Sequence, residues 1–378
     1  MNILFVTPWY PTQEKPVLGI FIKDIAKAVS LSHEVVILTS GDPIPSLKRF
    51  YQTEATLEEN LRVLRLRYRK FPLPLISYFG HLWGAMATVR LLRQEGFQPD
   101  IIHAHVFEAG LIAVPLARRF KIPLIISEHS SAFQRGRIRR IEKIKAKYVF
   151  NRASVVCPVS EDMKRRIQSL TKRVRLRVIP NPVDPSFFLS EGHAEEPLQA
   201  SAKRHILLVA LLKSIKNIPI LLEAMTLLKL KRNDFILDIV GDGPQRSDYE
   251  QEVRELGLTD YVIFHGLKSK KEVADFMKQC VFLVLPSLYE TFGIALVEAM
   301  ACGKPVIATS RGGPVDIVSE DTGRLVPPGD SEALADAMDY MLDHFGEFDS
   351  KKIAGLARSQ YSYEAVGRQW NLLYRSLI

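Results

Sequence analysis

Short apolar runs rich in Val and Ile alternate with longer segments of helical periodicity along nearly all of the 378 residues. This alternation is typical of parallel β-sheets whose strands are connected by covering helices. In the first half, the runs interpreted as strands lie at 3–6, 35–38, 63–67, 101–103, 124–127, 155–158 and 178–180. In the second half they lie at 206–209, 235–240, 262–264, 281–285 and 305–308. The sequence therefore predicts an α/β fold.

A polar, patternless segment at 185–202 separates the two series of strands. Because 378 residues also exceed the usual size of one hydrophobic core, we predict two Rossmann-like domains, at residues 1–183 and 184–359. Ligands of open α/β sheets bind beyond the carboxyl ends of the strands. Two facing domains would therefore hold their substrates in an interdomain cleft.

The composition is that of a folded protein in a reducing compartment. Apolar residues make up 47% of the chain and charged residues 25%, which are ordinary values for a globular protein. The cysteines Cys157, Cys280 and Cys302 lack metal-binding or redox spacing, so we expect reduced core thiols. No signal peptide is predicted, and the uncharged segment 71–89 contains prolines and glycines that make it a poor spanning helix. A cytoplasmic enzyme is expected.

Positive charge is concentrated in the first half of the chain. Residues 1–180 contain 30 Lys and Arg against 14 Asp and Glu, a net charge of +16, whereas the remainder carries −7. One basic cluster comprises Arg62, Arg65, Arg67, Arg69 and Lys70. The other comprises Arg135, Arg137, Arg139, Arg140, Lys143, Lys145 and Lys147, interleaved with Ile138, Ile141, Ile144 and Tyr148 at nearly helical spacing.

This basic, amphipathic helix has two open interpretations. It is either a solvated helix face or a surface for an anionic membrane or an anionic lipid-linked acceptor. Nucleic acid is disfavoured, because no recognised nucleic-acid module or stacking motif accompanies the charge.

The stretch 286–299, with the sequence PSLYETFGIALVEA, leaves an apolar strand, crosses a polar turn and enters a helix at about residues 292–294. A helix start has unpaired N–H groups and a positive dipole end, which suit a phosphate or sugar hydroxyls. Gly293 allows a ligand to approach the backbone closely. If the segment is all helical, Glu290 and Glu298 lie about 12 Å apart, beyond the separation in glycosidase acid/base pairs. These carboxylates are therefore predicted to hold different parts of one extended ligand.

Two glutamates separated by seven residues, with Phe-Gly between them, closely resemble the signature of retaining glycosyltransferase family 4, the group 1 glycosyltransferases with the GT-B fold. Other matching motifs occur in the same order at 19–21 (GIF), 99–105 (PDIIHAH), 127–129 (SEH), 158–160 (PVS), 179–184 (IPNPVD), 241–244 (GDGP), 265–266 (HG) and 312–313 (GG). The likeness covers nearly the whole chain. It is greatest to members that extend surface or capsular polysaccharides and other envelope glycans.

The resemblance implies roles for the residues of the stretch 286–299. Glu298 would hold the ribose hydroxyls of the donor. Glu290, together with the backbone amides of Phe292, Gly293 and Ile294, would hold the donor sugar and the distal phosphate. The alternative for Glu298 is a solvated helix residue, although its neighbours are apolar and burying a charge among them would be costly.

Other donor contacts are implied elsewhere in the chain. Gly19 would let the first loop approach the pyrophosphate, and His129 would reach the donor sugar from the opposite domain. Gly241, Gly266 and Leu267 would border the nucleotide. The full dinucleotide fingerprint is absent around Gly241, so NAD chemistry is disfavoured.

One position departs from the family pattern. The family usually places an arginine and then a lysine after the first strand of the second domain, and both cations neutralise the leaving diphosphate. Here Lys216 matches the lysine, but Leu211 occupies the arginine position. Leucine cannot make the paired hydrogen bonds of a guanidinium group, so we expect the diphosphate to be held differently, with Lys213 as a candidate replacement.

The implied reaction is transfer with retention from a UDP- or GDP-linked sugar, with no metal, and with His129, Lys216 and Glu290 as catalytic residues. His103 and His105 could share one face of a strand and suggest a metal, but no third ligand is evident. A helix within 360–378 would complete the first domain. Alternatives are an epimerase or phosphorylase of the same fold, or a non-catalytic subunit that binds nucleotide sugars.

Overall fold

The computed structural model describes residues 1–130, 133, 139–189 and 203–378, which form two compact units. Unit 1 comprises Met1–Pro182 and Tyr363–Ile378, and unit 2 comprises Val183–Ser362. The sequence-based division placed the corresponding bounds at 183 and 360. Arg135, Arg137 and Ile138 of the second basic cluster, and residues 190–202 of the connecting segment, lie outside the described residues.

Unit 1 is built on a seven-stranded sheet. Its strands are β1 (Asn2–Thr7), β2 (Glu34–Thr39), β3 (Tyr51–Glu58), β4 (Leu61–Tyr68), β5 (Ile101–His105), β6 (Leu124–Glu128) and β7 (Val155–Pro158). They are arranged in the order β3-β4-β2-β1-β5-β6-β7. All neighbours pair in parallel except β3, which pairs antiparallel with β4.

Helices cover both faces of the unit 1 sheet. They are α1 (Ile20–Ser30), α2 (Pro74–Gln94), α3 (Val106–Phe120), α4 (Arg140–Phe150), α5 (Glu161–Leu170) and the C-terminal α13 (Tyr363–Arg375). Successive strand residues point to opposite faces, so Leu4 packs into the core shared with α2 to α5, and Phe5 into the core shared with α1 and α13. These two cores fix the carboxyl ends of β1, β5 and β6.

Unit 2 contains a six-stranded parallel sheet in the order β10-β9-β8-β11-β12-β13. Its strands are β8 (Arg204–Val209), β9 (Phe235–Val240), β10 (Val262–Gly266), β11 (Phe282–Leu285), β12 (Val306–Thr309) and β13 (Gly323–Val326). Its helices are α6 (Ile218–Lys231), α7 (Arg246–Glu255), α8 (Lys270–Gln279), α9 (Ile294–Ala301), α10 (Pro314–Ile317), α11 (Ser331–His344) and α12 (Ser350–Tyr361). The prediction of alternating strands and helices is confirmed in both units.

Three strand assignments differ from the sequence-based ones. Residues 178–180 were expected to be a strand, but they are not part of the sheet. The segment before them contacts β7 through one isolated bridge, between Leu176 and Val156. The edge strand β3 was missed because its residues are largely polar and exposed, as an edge position permits. Strand β13 was missed because it is short and begins with glycine.

The uncharged segment of the first half forms most of helix α2. Across the described residues, no helix combines the length and the apolar character needed to cross a membrane. The three cysteines are free and buried, as expected.

Candidate active site

Most of the predicted donor-binding residues of unit 2 lie at the carboxyl ends of adjacent strands. Gly266 ends β10, and its carbonyl accepts the N–H of Gly241, which follows β9, at 2.9 Å. The loop after β8 is joined to the loop after β11 by the Leu288 N–H, which donates to the Ile215 carbonyl at 2.9 Å. Leu267 follows β10 with its side chain exposed. The sheet therefore brings these loops into one row.

Two of the predicted catalytic residues are in direct contact. The ammonium Nζ of Lys216 lies 2.5 Å from Oε1 of Glu290, and the same oxygen accepts the Ser287 hydroxyl at 2.7 Å. The side chains are only 22% and 12% exposed, respectively. An ion pair so little exposed is stronger than a surface pair, because water screens it less. The lysine charge is thus balanced by Glu290, and an anionic ligand would compete for it.

Ser287 is a residue that sequence reasoning missed. It is fully buried just after β11, and its own carbonyl accepts the Thr309 hydroxyl at 2.7 Å. Its position three residues before Glu290 was the available signal, since a hydroxyl at that spacing can donate to a carboxylate within the same turn. Ser287 holds Glu290 in the orientation that meets Lys216.

Helix α9 begins at Ile294, with Gly293 as its N-cap. The first hydrogen bond of the helix is donated by the Leu296 N–H to the Gly293 carbonyl at 2.9 Å. The N–H groups of Phe292, Gly293 and Ile294 therefore precede the helix's own hydrogen bonding. The Phe292 side chain is buried, and this burial fixes the direction in which the chain enters α9.

The backbone conformation at position 293 itself favours glycine. Its φ of +99° lies in the left-handed region, and an added Cβ would lie 3.0 Å from Cδ1 of Leu296. Glycine is thus favoured here by the backbone, independently of any ligand. Glu290 lies before the helix and forms a bridge with Gly312, so the helical spacing behind the 12 Å separation from Glu298 does not apply. Glu298 itself is half-buried in the second turn.

The position of the expected arginine and its candidate replacement are both open to solvent. Leu211 and Lys213 have exposed side chains, and the Lys213 N–H donates to the Leu211 carbonyl at 2.8 Å. Lys213 is the N-cap residue of a short 3-10 helix, Ser214–Lys216. Its side chain is therefore not brought into the Lys216–Glu290 pair, and its compensating role stays a prediction.

In unit 1 the structure brings the first loop and His129 together. Gly19 is the N-cap of α1 with φ +71°, and a Cβ there would lie 2.4 Å from the Trp9 carbonyl oxygen. Glycine is therefore required by the fold of the loop. Two residues later, the ring of Phe21 packs on the ring of His129 with a centroid distance of 4.7 Å.

His129 follows β6 and lies beside His105, the last residue of β5. Nε2 of His129 is 3.4 Å from Nδ1 of His105. His105 Nε2 and His129 Nδ1 find no hydrogen-bond partner among the described residues. Burial lowers the pKa of His129 to about 3 and that of His105 well below its ordinary value. Both imidazoles are neutral, and each keeps one buried ring nitrogen without a partner among the described residues, which is uncommon for a buried polar atom.

Glu128 anchors this region, although the sequence motif gave it no role. Its carboxylate accepts the Phe107 N–H at 3.0 Å and the Ser130 N–H at 2.8 Å. Burial and Glu108 raise the pKa of Glu128 to about 8, while N–H groups of Ser130, Phe107 and His129 stabilise the carboxylate. A charged residue directly after an apolar strand was the signal for such a role, since it must find hydrogen bonds when buried. Glu128 thereby positions the His129 loop.

The suggestion of a metal at His103 and His105 gains no support. Tyr374 and Ser127 occupy the two ring nitrogens of His103, at 2.8 Å and 2.7 Å. Within the described ranges, no group of three His, Cys, Asp or Glu side chains could hold a metal ion. His103 is a core residue joined to α13 through Tyr374.

Comparison with known proteins decides the family. The model of the family Glycosyl transferases group 1 matches residues 191–350, and that of Glycosyltransferase Family 4 matches residues 18–187. The chain is a group 1 glycosyltransferase. The resemblance drawn from the glutamates and their collinear motifs is thus confirmed, as is the prediction of a hexosyltransferase enzyme. Transfer with retention at the anomeric carbon stays a prediction.

Individual proteins resemble this glycosyltransferase over nearly its full length. An uncharacterized glycosyltransferase of Methanocaldococcus jannaschii is 26% identical, over 99% of this chain and 98% of that protein. A Bacillus subtilis glycosyltransferase named for teichuronic acid biosynthesis is 25% identical, over 89% and 88% of the two chains. The structure of Anabaena HepE in complex with UDP and glucose matches with a TM-score of 0.78 and 21% identity, over 100% of both chains. The last likeness shows that the fold is GT-B.

Proposed function

We propose that this glycosyltransferase moves a hexose from a UDP- or GDP-linked donor to a glycan or lipid-linked acceptor in the synthesis of envelope polysaccharides. The observation that carries the proposal is the Lys216–Glu290 pair in the loops beside the start of α9. A cation near the amides that precede the hydrogen bonding of a helix suits a sugar diphosphate. The UDP and glucose bound by HepE support the donor class, and the relative named for teichuronic acid biosynthesis supports the acceptor class.

The donor is held in extended form across unit 2. Glu298 binds the ribose hydroxyls, and the amides of Phe292, Gly293 and Ile294 bind the distal phosphate. Glu290 turns from Lys216 to the hydroxyls of the donor sugar once the diphosphate takes over the lysine. The nucleotide lies along Gly241, Gly266 and Leu267, at the carboxyl ends of β9 and β10.

Transfer proceeds with retention at the anomeric carbon and without a metal. The bond between that carbon and the phosphate oxygen breaks as the acceptor oxygen bonds to the carbon from the same face. The proton of the acceptor hydroxyl passes to the departing phosphate oxygen. Lys216 and the helix-start amides stabilise the charge that develops on the diphosphate, and His129 contacts the donor sugar from unit 1.

The protein acts in the cytoplasm, and its basic unit 1 gives it a peripheral contact with an anionic membrane. The excess of Lys and Arg in residues 1–180 supports this contact. Nucleic acid is not a partner in this proposal. The retained alternatives are an epimerase or phosphorylase of the same fold and a non-catalytic subunit that binds nucleotide sugars.

A thermal-shift panel of UDP, GDP, ADP and their sugars identifies the donor, because a ligand that binds the folded state raises the melting temperature. We expect a response to UDP or GDP that Glu298→Ala abolishes. A variant that keeps the full response would remove Glu298 from the site. Conversion of the donor without an acceptor would favour the epimerase or phosphorylase, and binding without any release of nucleotide would favour the non-catalytic subunit.

Replacement of Lys216 tests the catalytic centre directly. We expect Lys216→Ala to lower kcat by about 100- to 1,000-fold, since a preorganised charge is lost at the leaving group. Lys351→Ala, which removes an exposed lysine of α12 in the same unit, is the matched control, with near-wild-type turnover. Release of nucleotide in the presence of acceptor measures both. Near-normal turnover by Lys216→Ala would refute the assignment.

A further inference from the structure

Helix α2 exposes a row of large apolar side chains. Leu75, Phe79 and Trp83 follow one another at a spacing of four residues, and they are 65%, 57% and 55% exposed. This spacing places them on one face of the helix. The opposite face packs into the core of unit 1 through Ala85, Val89 and other residues. The exposed stripe is therefore not explained by the packing of unit 1.

The stripe continues onto neighbouring segments of the chain. The ring of Phe50 lies 5.4 Å from that of Phe71 and 6.0 Å from that of Trp83, measured between centroids. The Arg69 N–H donates to the Phe50 carbonyl at 3.0 Å, which ties the segment before β3 to the segment after β4. Phe50, Phe71 and Trp83 thus join into one apolar surface. We call this surface, together with Leu75 and Phe79, the α2 patch.

Positive charges border the α2 patch. Lys48 and Arg49 immediately precede Phe50, and Arg69 and Lys70 immediately precede Phe71. The guanidinium of Arg69 lies over the Phe71 ring, 5.2 Å from its centroid. No charged residue occurs from 71 to 89. Large apolar side chains rimmed by Lys and Arg are typical of segments that lie in the interface of an anionic bilayer.

Helix α4 adds a second surface of the same character. Its exposed apolar residues are Ile141, Ile144 and Tyr148, interleaved with Lys143, Lys145 and Lys147. Both α2 and α4 pack against α3, and they cover the same face of the unit 1 sheet. The two helices therefore present exposed apolar side chains accompanied by Lys and Arg on one side of unit 1. At a bilayer interface, buried apolar area and attraction to anionic lipids both add to the binding strength.

We propose that unit 1 docks on an anionic lipid bilayer, with the α2 patch inserted at the boundary between headgroups and acyl chains and the α4 lysines on the headgroups. This inference rests on the proposed function, because docking would hold the enzyme where a lipid-linked acceptor resides. A protein partner fits less well, because lysine is depleted at protein interfaces relative to the rest of the surface, whereas lysines accompany both the α2 patch and α4. The α2 patch supplies the apolar burial, and the basic residues of unit 1 supply the attraction to anionic headgroups.

Vesicle flotation of the full chain tests this docking. Wild-type protein is expected to float with vesicles of phosphatidylcholine containing about one-third phosphatidylglycerol, and far less with phosphatidylcholine alone. The variant F79S/W83S is expected to lose at least 10-fold in binding to the anionic vesicles. Leu372→Ser is the matched control, since Leu372 is 61% exposed on α13 of the same unit; it should float like wild type.

A second variant separates the electrostatic part. Replacing Lys143, Lys145 and Lys147 by Gln is expected to weaken flotation several-fold and to reduce its dependence on salt, while the α2 variant keeps its salt dependence. Wild-type protein that stays unbound to anionic vesicles would overturn the proposal, as would equal flotation of F79S/W83S. Self-association that F79S/W83S abolishes, without vesicle binding by wild type, would also overturn it and assign the patch to a second copy.

These readouts are independent of the proposed reaction. The thermal response to UDP or GDP is expected to be unchanged in F79S/W83S, because the α2 patch belongs to unit 1 and the nucleotide residues to unit 2. An unchanged response also shows that the variant is folded. Failure of vesicle binding with an intact nucleotide response would reject docking alone, whereas docking without any nucleotide response would reject the proposed function.

Discussion

At the carboxyl ends of its strands, unit 2 carries the ion pair of Lys216 and Glu290, whereas unit 1 carries the neutral histidines His105 and His129 beside the buried Glu128. The unit 2 pair is partly exposed and exchangeable, since an anion can replace Glu290 at the lysine. The unit 1 group is buried and fixed by backbone N–H groups. Unit 2 is therefore suited to a charged ligand, and unit 1 to a neutral, hydroxyl-bearing one.

The largest expected effect tests the unit 1 side of this comparison. His129→Ala is expected to lower kcat/KM by about 100-fold or more, because a preorganised polar group on the sugar is lost. The thermal response to UDP or GDP should stay unchanged, since the proposed phosphate contacts lie in unit 2. His344→Ala, on α11 of unit 2, is the control, with wild-type activity. A weakened nucleotide response in His129→Ala would contradict the assignment of the charged part of the ligand to unit 2 and of its neutral part to unit 1.

A smaller effect distinguishes the two N-cap glycines. Gly19→Ala is expected to destabilise the protein by about 3 kcal/mol, because the left-handed backbone is disfavoured and the Cβ meets a main-chain oxygen. Gly293→Ala is expected to cost about 1 to 2 kcal/mol, because its Cβ meets only a movable leucine methyl group. Urea unfolding measures both. Gly96→Ala, with φ +96° and an open surrounding, isolates the backbone contribution, and equal costs at all three sites would contradict the distinction.

A further effect concerns pH. Burial lowers the pKa of His129 to about 3, from 6.5 in the absence of burial. Between these values the unfolded chain binds more protons than the folded protein, so the histidine contributes stability that is lost as the pH falls below 6.5. We expect a loss of about 2 kcal/mol from His129 between pH 7 and pH 5. Burial raises the pKa of Glu128 to about 8, so this carboxyl acts in the opposite direction, with stability falling as the pH rises from 4.5 towards 8.

The two contributions are separated by difference. The unfolding free energy of wild type minus that of His129→Gln, measured at pH 5 and pH 7, removes the contribution of Glu128 and leaves that of the histidine. A difference independent of pH would mean that His129 is already accessible to protons, and the contrast between a buried unit 1 site and a partly exposed unit 2 pair would fail.

Much of the fold could be predicted because buried parallel strands are continuous apolar runs. The runs at 235–240 and 155–158 coincide with β9 and β7. Edge strands lack this signal. β3 pairs only with β4 and exposes polar residues, and it joins its partner through Glu59 and Asn60, both with positive φ, a turn whose sequence is less distinctive than Asn-Gly.

The candidate site could be predicted in its residues but not in its contacts. Lys216 and Glu290 are 74 residues apart, and only the order of strands in the sheet brings the loops after β8 and β11 together. The contact of Phe21 with His129 likewise depends on β1 and β6 flanking β5. Local spacing carries no information on such pairs. The separation of about 12 Å between Glu290 and Glu298 assumed an all-helical segment, and that condition is not met, since Glu290 lies before the helix in a bridge with Gly312.

Helix α13 belongs to unit 1 although its residues follow all of unit 2 in the chain. Trp370 and Tyr374 are fully buried against the sheet, and the Tyr363 hydroxyl donates to Asp24 at 2.7 Å. During synthesis on the ribosome, the amino-terminal portion emerges first yet lacks one covering layer until the whole of unit 2 has been translated. Nascent unit 1 therefore spends the longest time with an uncovered apolar face, and it is there that we expect chaperones to bind the growing polypeptide.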